Sequence, residues 1–517
     1  MLGGTLLSSL PVAAQNEKKP NVLLVMCDDL IAFDGIYLDH PDIKTPNLDR
    51  LRQRSVCFTN ANSAAPVSGP SRAAMFTGIY PHVSQNYGFD HWFKNPVLSQ
   101  VKSLFVHLGD NGYNVYGTGK LFHHNRADEF TEYGHRNYMG PLPFNGKKTV
   151  GHPSVPEPFR SVGRVISTYG SLADIPDVKP TSKAPGYKGW YDEQRKKPFR
   201  YVSDDDRDLF RDEEHAQWVI NLIDELEAGK SGDKPFFIGL GFSKPHTPLV
   251  APQKYFDMYP LESIRMPERQ PEGERNLGYL EENVPKNKGF KHYRAMEASY
   301  PDNVEYGLRK YVQAYMACVT FVDEIIGTVL DKLENSSFAD NTVVIFCSDH
   351  GYEFGQKNFL FKNTLWETSS QVPYYVYYPG KDYLHGVEVE HPVSLMDIYP
   401  TINDICGVGN NTARTETAPE LSGHSVLPFV REGDAAHWDG PEVALTVVGN
   451  PETLEPDQQN YSVRSKDFRY ILYSNGKEEL YDCRQDPHEW KNLAQDLKYA
   501  SVKADLCRQL EALISCQ

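Results

Sequence analysis

Four apolar runs in this chain end in residues that carry charge or move protons, and this repetition limits the possible folds more than any other feature. NVLLVMCDDL (21–30) ends in Asp28 and Asp29, and YNVYGTGKLFHH (113–124) runs into Lys120 and His123. PFFIGLGFSKPHTP (235–248) ends in Lys244 and His246, and NTVVIFCSDHGYEFG (341–355) in Asp349 and His350. Unbroken Val/Ile/Leu/Phe runs of this length suit central strands of a parallel sheet covered on both faces. Helical patterns separate them. TPNLDRLRQRS has Thr45 placed to cap and Pro46 at the first helical position, and 211–229 and 307–333 carry apolar residues at helical spacing. The alternation predicts an α/β fold with a doubly wound sheet of parallel central strands covered by helices. Ligands of such sheets bind beyond the C-terminal ends of the strands. One polar residue at a strand end is ordinary, but four ends alike describe a site.

With 517 residues, two unequal domains are expected: a large one over 20–430 and a small C-terminal one over 431–517. In the latter, YSVRSKDFRYILYSNGKEELYDC (461–483) reads as a hairpin around an Asn-Gly turn, and DLCRQLEALIS as a closing helix. The regions 126–210 and 251–303 lack periodicity but are rich in Tyr, which favours ordered loops around a site. A net charge of −16 argues against a nucleic-acid partner. A local basic pocket on an acidic body can still take an anion.

The eight cysteines include no CxxC pair, so neither a zinc site nor a disulfide scaffold is indicated. Cys27 and Cys347 lie inside apolar runs and are expected to be buried thiols. Residues 1–19 read as a signal peptide ending near Ala14 followed by a polar linker, which predicts export. No other segment approaches the ~20 apolar residues of a membrane span.

SAAPVSGPSRAAMFTG (63–78) places Ser68 just before a helix that Pro70 starts, with Arg72 a turn further on. Free N–H groups and the helix dipole favour an anion there, and the guanidinium offers a charged fork to it.

Ser-x-Pro-Ser-Arg followed by Ala-Ala-Met-Phe-Thr-Gly resembles the maturation signature of the sulfatase family, in which a Cys or Ser is oxidised to formylglycine. The likeness runs nearly the whole chain, through PNVLLVMCDDL, CSDHG, HPVSLMDIYPTINDICG and LYDCRQDPHEWKNLA. TGKLFHH, SKPHTP, Asp349-His350, Lys362 thirteen residues after Asp349, and YGFDHWF (87–93) are most similar to the iduronate-2-sulfatase branch. That branch has Cys in animals where this chain has Ser68, which implies a bacterial, serine-type maturase and a periplasmic or secreted enzyme.

The resemblance implies an alkaline-phosphatase-like sulfatase fold, a large mixed, mostly parallel sheet sandwiched by helices with a smaller C-terminal α+β domain, and assigns roles. Asp28, Asp29, Asp349 and His350, with the modified Ser68, would hold one divalent cation, by analogy Ca²⁺. Hydrated formylglycine at Ser68 would attack sulfur, and Arg72, Lys120 and Lys362 would neutralise the sulfate. His123 would take the proton that lets sulfate leave, and His246, with Lys244 nearby, would protonate the leaving sugar oxygen. The implied substrate is a sulfated polysaccharide or oligosaccharide: a 2-O-sulfated uronate of a glycosaminoglycan, or an algal polymer such as ulvan. Phosphonate or phosphodiester hydrolases of the same superfamily, and a silent relative that binds sulfated glycan through unmodified Ser68, are the alternatives. Turnover of aryl sulfate against aryl phosphonate separates the first, and turnover after co-expression with the maturase separates the second.

Overall fold

The computed structural model describes residues 18–32, 42–124, 126–182, 186–271 and 287–515. Of the signal peptide and linker expected over 1–19, residues 1–17 lie outside these, as does Cys516. The main sheet is built from β1 (Asn21–Asp28), β2 (Val56–Phe58), β3 (Asn114–Gly119), β4 (Glu132–Arg136), β5 (Phe236–Pro245), β6 (Thr342–Ser348), β7 (Tyr374–Tyr377) and β8 (Val387–Val389). Their order is β8-β2-β7-β6-β1-β5-β3-β4. The pairs β6–β1, β1–β5, β5–β3 and β3–β4 are parallel, and only β7 runs against the rest. This is the mixed, mostly parallel sheet the sequence predicts.

Both faces of β1 are buried, as continuous hydrophobicity requires. Leu23, Val25 and Cys27 face a core shared with α3 (Arg211–Glu227) and α5 (Val304–Glu334). Val22, Leu24 and Met26 face the opposite core, with α2 (Ser68–Thr77) and α6 (Ile398–Cys406). Burying side chains such as Leu24 and Ile345 contributes about 1.5–3 kcal/mol each. Cys27 and Cys347 are fully buried, as expected. By length and composition α5 would pass for a membrane span, but 83% of its most apolar window is buried inside the protein. Its apolar residues are core residues.

Helix α1 (Pro46–Arg52) starts at the expected proline, but Thr45 does not cap it. The amides of Asn47 and Leu48 donate instead to Asp323 of α5, at 3.1 and 2.8 Å, so a distant carboxylate does the local residue's work. In the region read as aperiodic, α4 (Lys288–Ser299) is a regular helix capped by Asn287.

The C-terminal sheet is antiparallel, in the order β9 (Ala444–Val448), β10 (Asn460–Arg464), β11 (Phe468–Leu472), β12 (Glu478–Asp482). The stretch read as one hairpin therefore holds three strands. The additional turn, 465–467, has no Gly or Asn and is closed by Ser465, whose hydroxyl accepts from the Phe468 amide at 3.0 Å. The chain closes with the expected helix, α7 (Ala500–Ser515).

One face of this sheet packs Leu445, Val463, Tyr470 and Leu480 on α7 and on Ala64 and Ala74, beside the maturation-like motif. The other packs Ile471, Tyr473 and Tyr481 on Phe359 and Trp366. A buried ionic knot crosses the same boundary. Glu367 takes both Arg464 and Arg469, and Arg469 also pairs with Glu489.

Candidate active site

Parallel register carries the four apolar runs to one edge of the sheet. Cys27 lies opposite Ser348 and Asp28 opposite Pro245, so Asp28, Asp29, Asp349 and His350 emerge together between β1 and β6. One ligand atom from each lies within 4.8 Å of the others, and all four residues are buried. Lys120 follows β3, where two glycines allow strand contact. The Lys120 amide donates to the Gly241 carbonyl at 2.8 Å, and a Cβ on Gly241 would come within 2.1 Å of the Lys120 carbonyl oxygen.

Asp29 has φ 64°, a left-handed conformation that a non-glycine residue adopts only when its surroundings impose it. Its amide donates to Asp349 at 3.2 Å and its carbonyl accepts from the Tyr315 hydroxyl at 2.8 Å. The next amide, Leu30, donates to the Ser348 hydroxyl at 2.9 Å. These bonds turn both Asp28 and Asp29 toward the site.

Ser68 is the first residue of α2, one position further in than the sequence suggested, and only 2% of its surface is exposed. Its Oγ donates to Asp28 Oδ1 at 2.9 Å and stands 3.0 Å from His350 Nε2. His350 Nδ1 lies 3.0 Å from the Gly351 carbonyl, a contact that needs the proton on Nδ1 and leaves a lone pair on Nε2. Burial pushes His350 down to about 3, so it is neutral. That lone pair faces the Ser68 oxygen and lies 3.4 Å from Asp29 Oδ1 and 3.6 Å from Asp349 Oδ2, with no proton to separate them. Such a convergence of lone pairs fits a cation, and its oxygen-rich donors suit a hard divalent one.

Three cations balance the three carboxylates. Arg72, fully buried, donates from Nε to Asp349 Oδ2 at 2.8 Å, and to the Lys120 and Leu121 carbonyls. Lys120 pairs with Asp28 and Lys362 with Asp29. Burial pushes Asp349 up, but Arg72 together with the further positive charge around it, including Lys120 and Lys362, more than offsets this and holds it well below the carboxylate range. Burial lowers Lys120 to about 7. A divalent ion added to this balanced set would leave the pocket positive, which suits an anionic substrate.

The remaining predicted residues fall in two places. His246 Nε2 is 4.0 Å from Asp29 Oδ2, and its Nδ1 lies 2.5 Å from the Thr247 carbonyl. Burial, then Lys362 and Lys120, lower its pKa well below the ordinary value. His123 is exposed, its ring 4.7 Å from that of Phe89. Partial desolvation and the charge of Lys120 lower it to about 3. Lys244 is buried, with its ammonium on the Pro248 carbonyl at 2.5 Å and near the Phe210 ring, turned to these and not to the carboxylate cluster among the described residues.

Several supporting residues were not singled out from the sequence. Asp212 accepts from the Ser243 and Lys244 amides, both at 2.9 Å, and fixes the end of β5. Ser63 and Ser71 both donate to the Asp349 carbonyl at 2.7 Å. Asp212 looks like part of an acidic helix start, and no local pattern shows that its partners lie about thirty residues on.

Comparison with known proteins gives the family of this chain. The sulfatase family model matches residues 20–408, and the model for the C-terminal part of N-sulphoglucosamine sulphohydrolase matches 355–515. A sulfatase of Formosa agariphila is 31% identical over 93% of this chain and 84% of its own length. Iduronate 2-sulfatase of Mus musculus is 24% identical over 97% of this chain and 96% of its own. A solved structure in complex with its substrate D-glucosamine-2-N,6-O-disulfate has TM-score 0.65 and 21% identity, covering 96% of this chain and 97% of that one, a likeness of fold. With the family model spanning most of the chain and a relative above 30% identity along nearly all of it, the chain belongs to the sulfatase family and is a sulfuric ester hydrolase.

Proposed function

We propose that this chain is an exported bacterial enzyme that hydrolyses a sulfate ester on a saccharide, using a formylglycine made from Ser68. The observation that carries this is the position of Ser68. Its oxygen lies at a helix N-terminus, between Asp28 and His350, inside three balanced ion pairs. The saccharide follows from the relatives, which include an iduronate 2-sulfatase and a structure holding a sulfated glucosamine. A 2-O-sulfated uronate of a glycosaminoglycan and a sulfated algal polymer such as ulvan are the two candidate substrates. Export rests on the apolar N-terminal stretch.

Asp28, Asp29, Asp349 and His350, with residue 68, would hold one hard divalent cation, Ca²⁺ by analogy with the family. When bound, it supplies charge that polarises the sulfate oxygens and favours an ionised nucleophile. Formylglycine supplies, as its hydrate, a hydroxyl where the Ser68 oxygen now sits. Arg72, Lys120 and Lys362 neutralise the sulfate oxygens and hold them in line, the main demand of this reaction. An arriving sulfate also offsets the field of Lys362 and Lys120 on His246. This raises its pKa, so that Nε2 can carry a proton to the leaving sugar oxygen. His123, neutral, would accept a proton in the step that frees sulfate. Because Ser68 is buried, the maturase must oxidise it before α2 docks.

The test is peptide mass spectrometry of the segment holding Ser68, after co-expression with a serine-type maturase, with sulfate release assayed on the same sample. Loss of two hydrogens at Ser68, with sulfate released from a sulfated saccharide, is expected. Full conversion with turnover of aryl phosphonate alone would replace this reading with the phosphonate hydrolase.

The cation has a readout independent of turnover. Ca²⁺ at about a hundred times its Kd is expected to stabilise the fold by about 2.7 kcal/mol, seen as a higher melting midpoint that chelator reverses. Asp349→Asn is expected to remove the response. An unmoved midpoint with Ca²⁺, Mg²⁺ and Mn²⁺ alike would mean that the cluster holds no cation.

A further inference from the structure

A single exposed aromatic side chain is common on protein surfaces, but Phe89 is set apart by its location. It is 49% exposed and lies against Gly69, the residue after Ser68. A Cβ on Gly69 would come within 2.8 Å of the Gly88 carbonyl oxygen and 2.9 Å of Phe89 Cδ1. The missing side chain therefore lets the 84–95 segment reach the head of α2. On its other side, Phe89 meets the ring of His123 at 4.7 Å.

The segment is held firmly around this ring. Trp92 is buried and stacked 5.3 Å from Phe122. The Arg126 guanidinium lies 4.6 Å from the centre of the Phe93 ring. The Asn95 side-chain amide donates to the Ser84 carbonyl at 2.8 Å, and its oxygen accepts from Val97 and Leu98. Tyr87 packs against the backbone of Gly449, at the end of β9. The neighbours are fixed inward, and Phe89 is presented outward between the head of α2 and His123.

We infer that Phe89, with the His123 ring beside it, is a stacking platform for the apolar face of the saccharide ring that carries the sulfate ester. The inference rests on the saccharide reading above and extends it. A pyranose presents C–H groups on one face, and an aromatic ring fixed in advance covers them with little loss of side-chain freedom. The charged residues grip the sulfate, whereas Phe89 contributes affinity only when a ring is attached to it.

The experiment compares wild type, Phe89→Ala and Phe89→Trp, each co-expressed with the maturase. The substrates are a 2-O-sulfated heparin disaccharide, a sulfated ulvan oligosaccharide and an aryl sulfate, and inorganic sulfate is the inhibitor. For the saccharide that wild type hydrolyses, Phe89→Ala is expected to raise KM about 10-fold with kcat changed less than ~2-fold. The inhibition constant of inorganic sulfate should not move, which also reports an intact pocket. Phe89→Trp should restore KM.

An unchanged saccharide KM in Phe89→Ala would overturn the platform and leave the substrate reading standing. So would a parallel rise in the sulfate inhibition constant, which would make Phe89 a prop for α2, or a Phe89→Trp variant as weak as alanine. A wild type that hydrolyses aryl sulfate but neither saccharide would overturn the substrate reading and the platform together.

Discussion

Ser68→Ala is expected to reduce sulfate release by about 10⁴-fold or more, since groups that act as one catalytic unit are lost together when the nucleophile goes. The structure explains why nothing nearby can substitute. The Ser68 Oγ occupies the place where Asp28, His350 and the head of α2 converge, and the adjacent hydroxyl of Ser71 is already committed to the Asp349 carbonyl. The fold should tolerate the change. The lost hydroxyl frees one Asp28 oxygen, and Lys120 and Arg72 remain beside that carboxylate. Loss of a single hydrogen bond of this kind costs about 1–3 kcal/mol when a buried partner is left. The measurement is sulfate release by wild type and variant from the same maturase-bearing host, with melting midpoints as the fold control. Retention of more than a few per cent of activity by a folded Ser68→Ala protein would remove Ser68 from the reaction.

Glu367→Gln is expected to have the largest effect on stability, a loss of about 3–5 kcal/mol, the usual cost of breaking a buried ion pair by removing one partner. Glu367 is buried and accepts from Arg464 Nε at 3.0 Å through both oxygens, while Arg469, fully buried, donates to the same carboxylate. Its backbone amide also donates to Glu489 at 2.9 Å. A neutral amide would leave two guanidinium groups of the C-terminal sheet short of charge, at the boundary where that sheet meets the catalytic core.

The same contact fixes a pH dependence. Burial pushes Glu367 up, but Arg464 and Arg469 outweigh it and bring its pKa from 4.5 to about 2. A carboxyl depressed in the folded state stabilises fully above its unfolded value and loses that contribution as pH falls through the folded one. The stability gap between wild type and Glu367→Gln should therefore be full at neutral pH and narrow between pH 4.5 and about 2. Urea unfolding of both proteins across this range measures it. A gap below about 1 kcal/mol at neutral pH, or one that ignores pH, would show that the knot contributes specificity of docking and not stability.

Much of the site was legible in the sequence because its residues sit at ends of strongly apolar strands. A parallel sheet brings such ends together whatever the intervening loops do, so Asp28, Asp29, Lys120, Asp349 and His350 could be grouped before any coordinate was known. The 63–78 motif likewise placed Ser68 and Arg72 at a helix mouth. Helix α4, the third strand of the C-terminal run and the Asp323 cap on α1 were not legible. For α1 a tertiary partner, and for the third strand a side-chain turn, does the work that local signals are expected to do, whereas α4 carries its own Asn287 cap inside a stretch of weak periodicity.

The sequence by itself determined the layer order, the catalytic edge and the family, because periodicity and motif spacing are local quantities that a sheet converts directly into position. Tertiary structure alone decided which way each charged side chain turns. Lys120 and Lys362 reach the carboxylates, whereas Lys244, at the same sheet edge, turns to the Pro248 carbonyl. It alone also showed that Phe89 stands against Gly69, the residue after Ser68, and that Glu367 ties the C-terminal sheet to the core. These outcomes depend on burial and charge balance among residues far apart in the chain, and those energies exist only once the chain has packed.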